Sequence, residues 1–115
     1  MASLTWVLVN CATQEEARRI GDAALAARQV ACFKVFPRAL ARYFWPPKSG
    51  KTQRARGTLL ILETTRPHLP SIRDLVRRHH SDTLPFIGAL RIEAVEPSYA
   101  QWLRGELRPH SRKTH

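Results

Sequence analysis

The sequence predicts an α+β sandwich, in which an antiparallel four-stranded sheet carries two helices on one face, a long hairpin joins its second and third strands, and an extra helix follows at the C-terminus. Three observations predict it. Short apolar runs rich in Val, Ile and Leu alternate with segments whose apolar residues recur every three or four positions. The elements follow in the order β-α-β-β-α-β-α. The chain's 115 residues leave room for one domain with one modest core and for no second domain. That domain is expected over residues 1–107, with 108–115 a basic, unpatterned tail expected to be disordered.

Trp6-Val-Leu-Val-Asn10 is a short apolar run with two β-branched residues, and it forms the first strand. Thr13-Gln-Glu-Glu16 has the spacing of a capping box, which opens a helix. Ala17, Ile20, Ala24, Ala27 and Ala31 then place a small-residue stripe on one helical face, suited to close packing on a sheet, while Arg18, Arg19 and Arg28 take other faces. From Cys32 to Trp45 aromatic and aliphatic residues interleave with Lys34 and Arg42. This predicts one long strand, bent or bulged at Pro37, which cannot donate to a strand ladder. Pro46-Pro-Lys-Ser-Gly50 is turn chemistry, and Thr58 to Thr65 is the next strand. After Pro67 and Pro70, residues Leu69, Ile72, Leu75 and Val76 return to helical spacing up to His79. Phe86 to Ile92 supplies the fourth strand, and Pro97 opens a last helix carrying Tyr99, Trp102 and Leu103.

That order is the split βαβ arrangement of ferredoxin-like folds. Its second strand is longer than so small a domain can pair internally. The aromatic end would expose apolar surface and unpaired backbone, so self-association is expected.

Nineteen basic residues against nine acidic ones give a formal charge of +10. Between Asp22 and Glu63 there are eight Lys or Arg and no acid, so that stretch carries a positive field. No apolar run approaches the roughly 20 residues of a membrane span, and the N-terminus lacks a basic region followed by an apolar one. A cytoplasmic protein without a membrane partner is expected. Cys11 and Cys32 sit among apolar neighbours and make no disulfide framework, which predicts buried free thiols.

Several patterns resemble sites without the geometry of one. There is no Cys-x-x-Cys and no His-x-x-x-His, and His79 and His80 point about 100° apart if both are helical, so one of them serves better as a helix cap. Gly50-Lys51-Thr52 lacks the first glycine of a phosphate-binding loop and leads into no helix. His80-Ser81-Asp82 holds the residue types of a hydrolytic triad, but triads are assembled from separated positions. Tyr43, Phe44 and Trp45 suit either a subunit interface or base stacking, and interface core is the commoner use.

Several separated motifs together resemble the CutA (divalent-ion tolerance) family from about Trp6 to Leu107. They are Val-Leu-Val-Asn-Cys-Ala-Thr with Glu15-Glu-Ala17, Val30-Ala-Cys-Phe33, Tyr43-Phe-Trp45 with Gly50-Lys51, Leu60-Ile-Leu-Glu-Thr-Thr65, His80 to Pro85, and Pro97-Ser-Tyr99 with Trp102. The resemblance implies a homotrimer in which each long hairpin extends a neighbour's sheet, an assembly similar to the PII signalling proteins. It also implies a link to tolerance of divalent metals, copper especially, and no general enzymatic reaction. An intersubunit pocket is implied near Cys32, Tyr43, Trp45, Lys51, Glu63, His80, Asp82 and Pro85. Cys32 and His80 are the candidate metal ligands, since copper(I) favours a soft thiolate.

The chain departs from that family at informative places. The segment before the last strand usually reads His-x-Tyr-Glu-x-Pro-Glu. Here Asp82 stands at the Tyr position, and Thr83 and Phe86 replace the two carboxylates. Glu63 stands where a Lys is common, and the family's acidic hairpin is replaced by Lys51, Arg54 and Arg56, which would repel a cation. Two functions compete from these features. The first is a non-enzymatic trimer for metal-ion tolerance or small-ligand sensing, with copper or another divalent ion as its candidate cofactor. The second is a basic trimeric module for an anionic ligand, a nucleotide or a nucleic acid.

Overall fold

Residues 4–109 are described by a computed structural model. Strands β1 (Leu4–Cys11), β2 (Cys32–Phe44), β3 (Thr52–Thr65) and β4 (Ile87–Arg91) form one antiparallel-paired sheet in the order β2-β3-β1-β4. Helices α1 (Gln14–Ala26) and α2 (Leu69–His79) pack on one face, and α3 (Pro97–Glu106) follows β4. The expected α+β, ferredoxin-like class is the one observed. Of the tail anticipated at 108–115, residues 110–115 lie outside the described residues. Arg108 donates its backbone N–H to Arg28 O at 2.8 Å.

The Thr13 hydroxyl accepts from the Glu16 N–H at 3.0 Å, as a capping residue does. The other half of the box is displaced by one residue, because Glu16 Oε1 accepts from the Ala12 N–H at 2.7 Å. The stripe of small residues continues to Ala31, but the helix stops at Ala26. Arg28 turns into the left-handed region (φ 55°), and the Gln29 and Arg28 N–H groups return to Ala24 O and Leu25 O at 3.0 and 2.9 Å. That Schellman pair satisfies the last carbonyls of the helix. Ala31 then joins the sheet edge by donating to Glu63 O at 3.0 Å.

One face of the sheet and the two helices enclose the main core, with Val7, Val9, Leu60 and Leu62 against Ile20, Ile72 and Val76. A smaller core under α3 gathers Leu4, Leu103 and Leu107 with Trp6, Ala31 and Ile92. β1 pairs with β3 only from Thr58 to Thr65. The first six residues of β3, Thr52 to Gly57, therefore have β2 as their only partner. They lack apolar alternation, so the sequence places the strand's start at Thr58, whereas pairing with β2 extends it back to Thr52. β2 bulges between Pro37 and Ala39, as Pro37 predicts, with Arg38 at φ 65° as the extra residue. The outcome is a two-stranded ribbon that overhangs the domain. The Cα radius of gyration is 15.4 Å, against about 13 Å for a compact chain of this length.

Gly57 marks the point where the ribbon leaves the sheet, and a Cβ there would lie 2.7 Å from the backbone oxygen of Cys11. Gly57→Ala is expected to cost about 1–3 kcal/mol through overpacking against a rigid carbonyl. Gly105→Ala, in a helix with open space around it, is expected to be neutral or to stabilise by about 0.5–1 kcal/mol. Urea unfolding midpoints of the two variants check the contrast.

Candidate functional site

The core residues Val7, Val9, Leu60 and Leu62 face the helices, so their sequence neighbours face the other way. The strand registers set Leu90, Trp6, Glu63 and Cys32 in one row across all four strands of that second face. Around the row the face is apolar, and Phe36 and Leu90 are exposed there. Phe86 folds over Gly88, where any Cβ would meet its ring at 2.7 Å.

Glu63 is a carboxylate on this apolar surface, and only 4% of it is exposed. Trp6 Nε1 and Lys34 Nζ each donate to its Oε2 at 3.0 Å, and the Tyr99 hydroxyl donates to Oε1. Lys34 Nζ also lies 3.5 Å from Cys32 Sγ. Burial pushes the Glu63 carboxyl up, but the hydrogen bonds from Tyr99 and Lys34, the Lys34 charge and the Trp6 donor outweigh it and hold the group below the ordinary carboxylate range. The Glu63 hydrogen bond, ahead of burial, pushes the Tyr99 hydroxyl up to about 12. The same partner raises the Lys34 ammonium. Tyr99 leans on Trp102, with ring centroids 5.3 Å apart.

A second cluster lies at the end of β1 on the helical side. His80 is the C-cap of α2, its N–H bonded to Val76 O at 2.8 Å. Its ring spans two loops: Nδ1 accepts from the Asp82 N–H at 3.0 Å, so Nε2 carries the proton and donates to Asn10 O at 2.6 Å. Glu16 accepts from Ala12 N–H through one oxygen and from Ser81 N–H, at 2.6 Å, through the other. Burial works against its charge, but these hydrogen bonds and His80 outweigh it and lower its pKa. Cys11 is beside them, and burial, with Glu16 second, pushes its thiol up to about 12.

One donor atom from each of Cys11, Glu16 and His80 falls within 4.8 Å of the others, the spacing a metal ion needs. The chemistry of the set does not fit one. Both nitrogens of His80 and both oxygens of Glu16 are already hydrogen-bonded, and the thiol is held protonated where a metal requires thiolate. The cluster instead ties the α2–β4 loop to the start of α1.

The sequence-derived pocket residues fall into three groups within one subunit. Cys32 and Glu63 share the second face, with Cys32 half-buried rather than fully buried. Tyr43, Trp45 and Lys51 lie at the ribbon's end, where the Trp45 N–H donates to Lys51 O at 3.0 Å. His80, Asp82 and Pro85 belong to the α2–β4 loop. Cys32 and His80 are therefore not brought together. Sequence reasoning missed Trp6, Lys34 and Tyr99 as partners of Glu63, and Glu16 as the partner of Ser81. Alternation on neighbouring strands carries a trace of Trp6 and Lys34; nothing local carries Tyr99, on α3, or Ser81, 65 positions from Glu16.

Comparison with known proteins gives a consistent result. The family model described as CutA1 divalent ion tolerance protein matches residues 5–106. The divalent-cation tolerance protein CutA of Thermus thermophilus is 32% identical over 98 residues, covering 85% of this chain and 92% of that protein. CutA1 from Oryza sativa superposes with a TM-score of 0.88 at 25% identity, over 94% of this chain and 96% of that one. The Archaeoglobus fulgidus protein described as periplasmic divalent cation tolerance protein CutA superposes at 0.85 with 27% identity, over 91% and 99% of the two chains.

Glu16 has a lowered pKa, so its stabilising contribution is fully present above the unfolded-state value and is lost as the pH falls through the lower, folded-state value. Glu16→Gln is expected to cost about 1–3 kcal/mol at neutral pH, the value of charge-assisted hydrogen bonds to a buried group. It should also flatten the acid limb of the stability curve. Denaturant titrations from neutral pH to below the carboxylate range check both effects.

Proposed function

Because the chain belongs to the CutA1 divalent ion tolerance family, we propose that it serves ion tolerance as a non-catalytic homotrimer that holds a small ligand or metal ion in the clefts between subunits. One observation carries this reading: half of the sheet is covered by the protein's own helices, while the second face pairs exposed apolar residues with a pre-organised polar centre at Glu63. An apolar sheet face of that kind is covered by a partner in stable proteins. β2 and β4 also end the sheet on either side with unpaired edges, which a second copy can extend.

The ribbon makes the three groups of pocket residues intelligible. Tyr43, Trp45 and Lys51 are carried away from their own domain by the β2–β3 overhang, so the surface they reach is a neighbour's. Cys32 and Glu63 on the second face, and His80, Asp82 and Pro85 at the loop, are the residues such a neighbour offers. Copper or another divalent ion is a ligand for this cleft through the Cys32 thiol together with donors from another subunit. Cys11, Glu16 and His80 hold one another instead. No helix among the described residues is long and apolar enough to cross a membrane, and the free thiols of Cys11 and Cys32 favour a reducing compartment such as the cytoplasm.

Light scattering is expected to give a mass near three times 13.1 kDa, unchanged between low and high salt as suits an apolar interface. The double variant Phe36→Asp with Leu90→Asp is expected to fall to smaller species. A wild-type monomer would sink the proposal. Calorimetric titration with copper is expected to lose its specific heat in Cys32→Ser and keep it in Cys11→Ser; the reverse pattern would place the metal at the helical side.

A further inference from the structure

The ribbon has two unlike faces. Its register pairs Ala39 with Gly57, Ala41 with Ala55, and Tyr43 with Gln53 on one side. On the other, Leu40 opposes Arg56, Arg42 opposes Arg54, and Phe44 opposes Thr52. The first face is uncharged, and its Ala39–Gly57 and Ala41–Ala55 pairs suit close packing. The second sets two guanidinium groups directly opposite each other, an arrangement that is unfavourable without a counter-charge. None of Arg38, Arg42, Arg54 and Arg56 is in an ion pair among the described residues.

The arginine face is the one continuous with the helical side of the sheet, because Thr58 and Leu60 on the same strand alternation lie in or against the main core. Where the ribbon meets α1, a cleft of about 430 Å³ opens between Arg38 and Arg56 on one wall and Arg18 on the other, with Glu15 as its one carboxylate. A smaller depression of about 270 Å³, lined by Leu40, Arg54 and Arg56, continues it along the ribbon. Phe44, 71% exposed, stands at the outer end of the same face.

We infer that this face binds single-stranded nucleic acid, with Arg18, Arg38, Arg42, Arg54 and Arg56 on the phosphate backbone and Phe44 against a base. Residues two apart on a strand are about 6.8 Å apart, so Arg54 and Arg56 form a repeating row of donors suited to a polymer of phosphates rather than to one anion. An exposed aromatic ring in line with that row is what a base requires and an acidic protein segment does not. Arginine's planar fork matches phosphate oxygens in pairs. The site is on the opposite face from Glu63 and does not depend on the ligand of the intersubunit cleft.

The test is fluorescence anisotropy with a labelled oligothymidine of about 15 nucleotides, using the full-length protein at salt concentrations from about 50 to about 200 mM. Arg54→Gln with Arg56→Gln is expected to weaken binding at least about tenfold and to reduce the salt slope by about 1.4, which is two phosphate contacts on a single strand. Phe44→Ala is expected to weaken the oligonucleotide about tenfold while leaving inorganic polyphosphate binding unchanged. Arg73→Gln with Arg78→Gln, an equal loss of charge on α2, should leave affinity within about twofold. An equal loss in that control would reduce the effect to diffuse charge and overturn the site. Absence of binding at low salt would overturn it too, as would tighter binding of a duplex of equal length. Light scattering on each variant separates loss of the site from loss of assembly.

Discussion

β3 is fourteen residues long and β1 is eight, and most of the molecule's organisation depends on that mismatch. Where β1 runs beside β3, the sheet has helices on one face and a core. Where β1 has ended, β2 and β3 have only each other, and a two-stranded ribbon cannot bury a core of its own. The bulge at Pro37 and Arg38 turns the ribbon at the start of the overhang. The close approach of Gly57 to the Cys11 carbonyl marks the same place on the partner strand.

Two buried carboxylates show how a small, strongly basic protein accommodates negative charge in its interior. Glu16 sits on the helical side and Glu63 on the other, and neither keeps its charge by exposure. Each exchanges water for fixed donors: backbone N–H groups from two loops for Glu16, and side chains from β1, β2 and α3 for Glu63. Burial opposes ionisation at both, and the donors prevail at both. Their structural settings differ: Glu16 fastens a loop within the chain, whereas Glu63 ties three strands to α3 on the second face, beside apolar residues that stay exposed.

What was legible in the sequence follows the range of the interactions concerned. The cap at Thr13, the break at Pro37 and the turn after Trp45 are local, and residue types within a few positions announce them. The α+β class follows from apolar runs and helical spacings read in order along the chain. The reciprocal half of the capping box was misplaced by one residue because Glu16 also answers to Ser81, from the far end of α2. The donor set of Glu63 was missed because Trp6, Lys34 and Tyr99 become neighbours only once the registers of three strands and the docking of α3 are known. Resemblance grouped Cys32 with His80 in one pocket. Within a subunit they lie apart, on the second face and at the helical side respectively, so any joint role passes to another copy.

The place of β1 between β3 and β4 has a consequence for synthesis on the ribosome. It is the first strand made, yet its partner residues begin 47 positions downstream, from Cys11 to Thr58, and its other neighbour is β4. At translation speeds of roughly 5–20 residues per second, Val7 and Val9 wait roughly 2–9 seconds before the near end of β3 is even synthesised. During that interval the nascent chain presents an apolar strand with both edges bare. The capped helix α1 follows directly behind it and is complete before either partner strand is made, so it is the one other element with buried residues in the main core present during that wait.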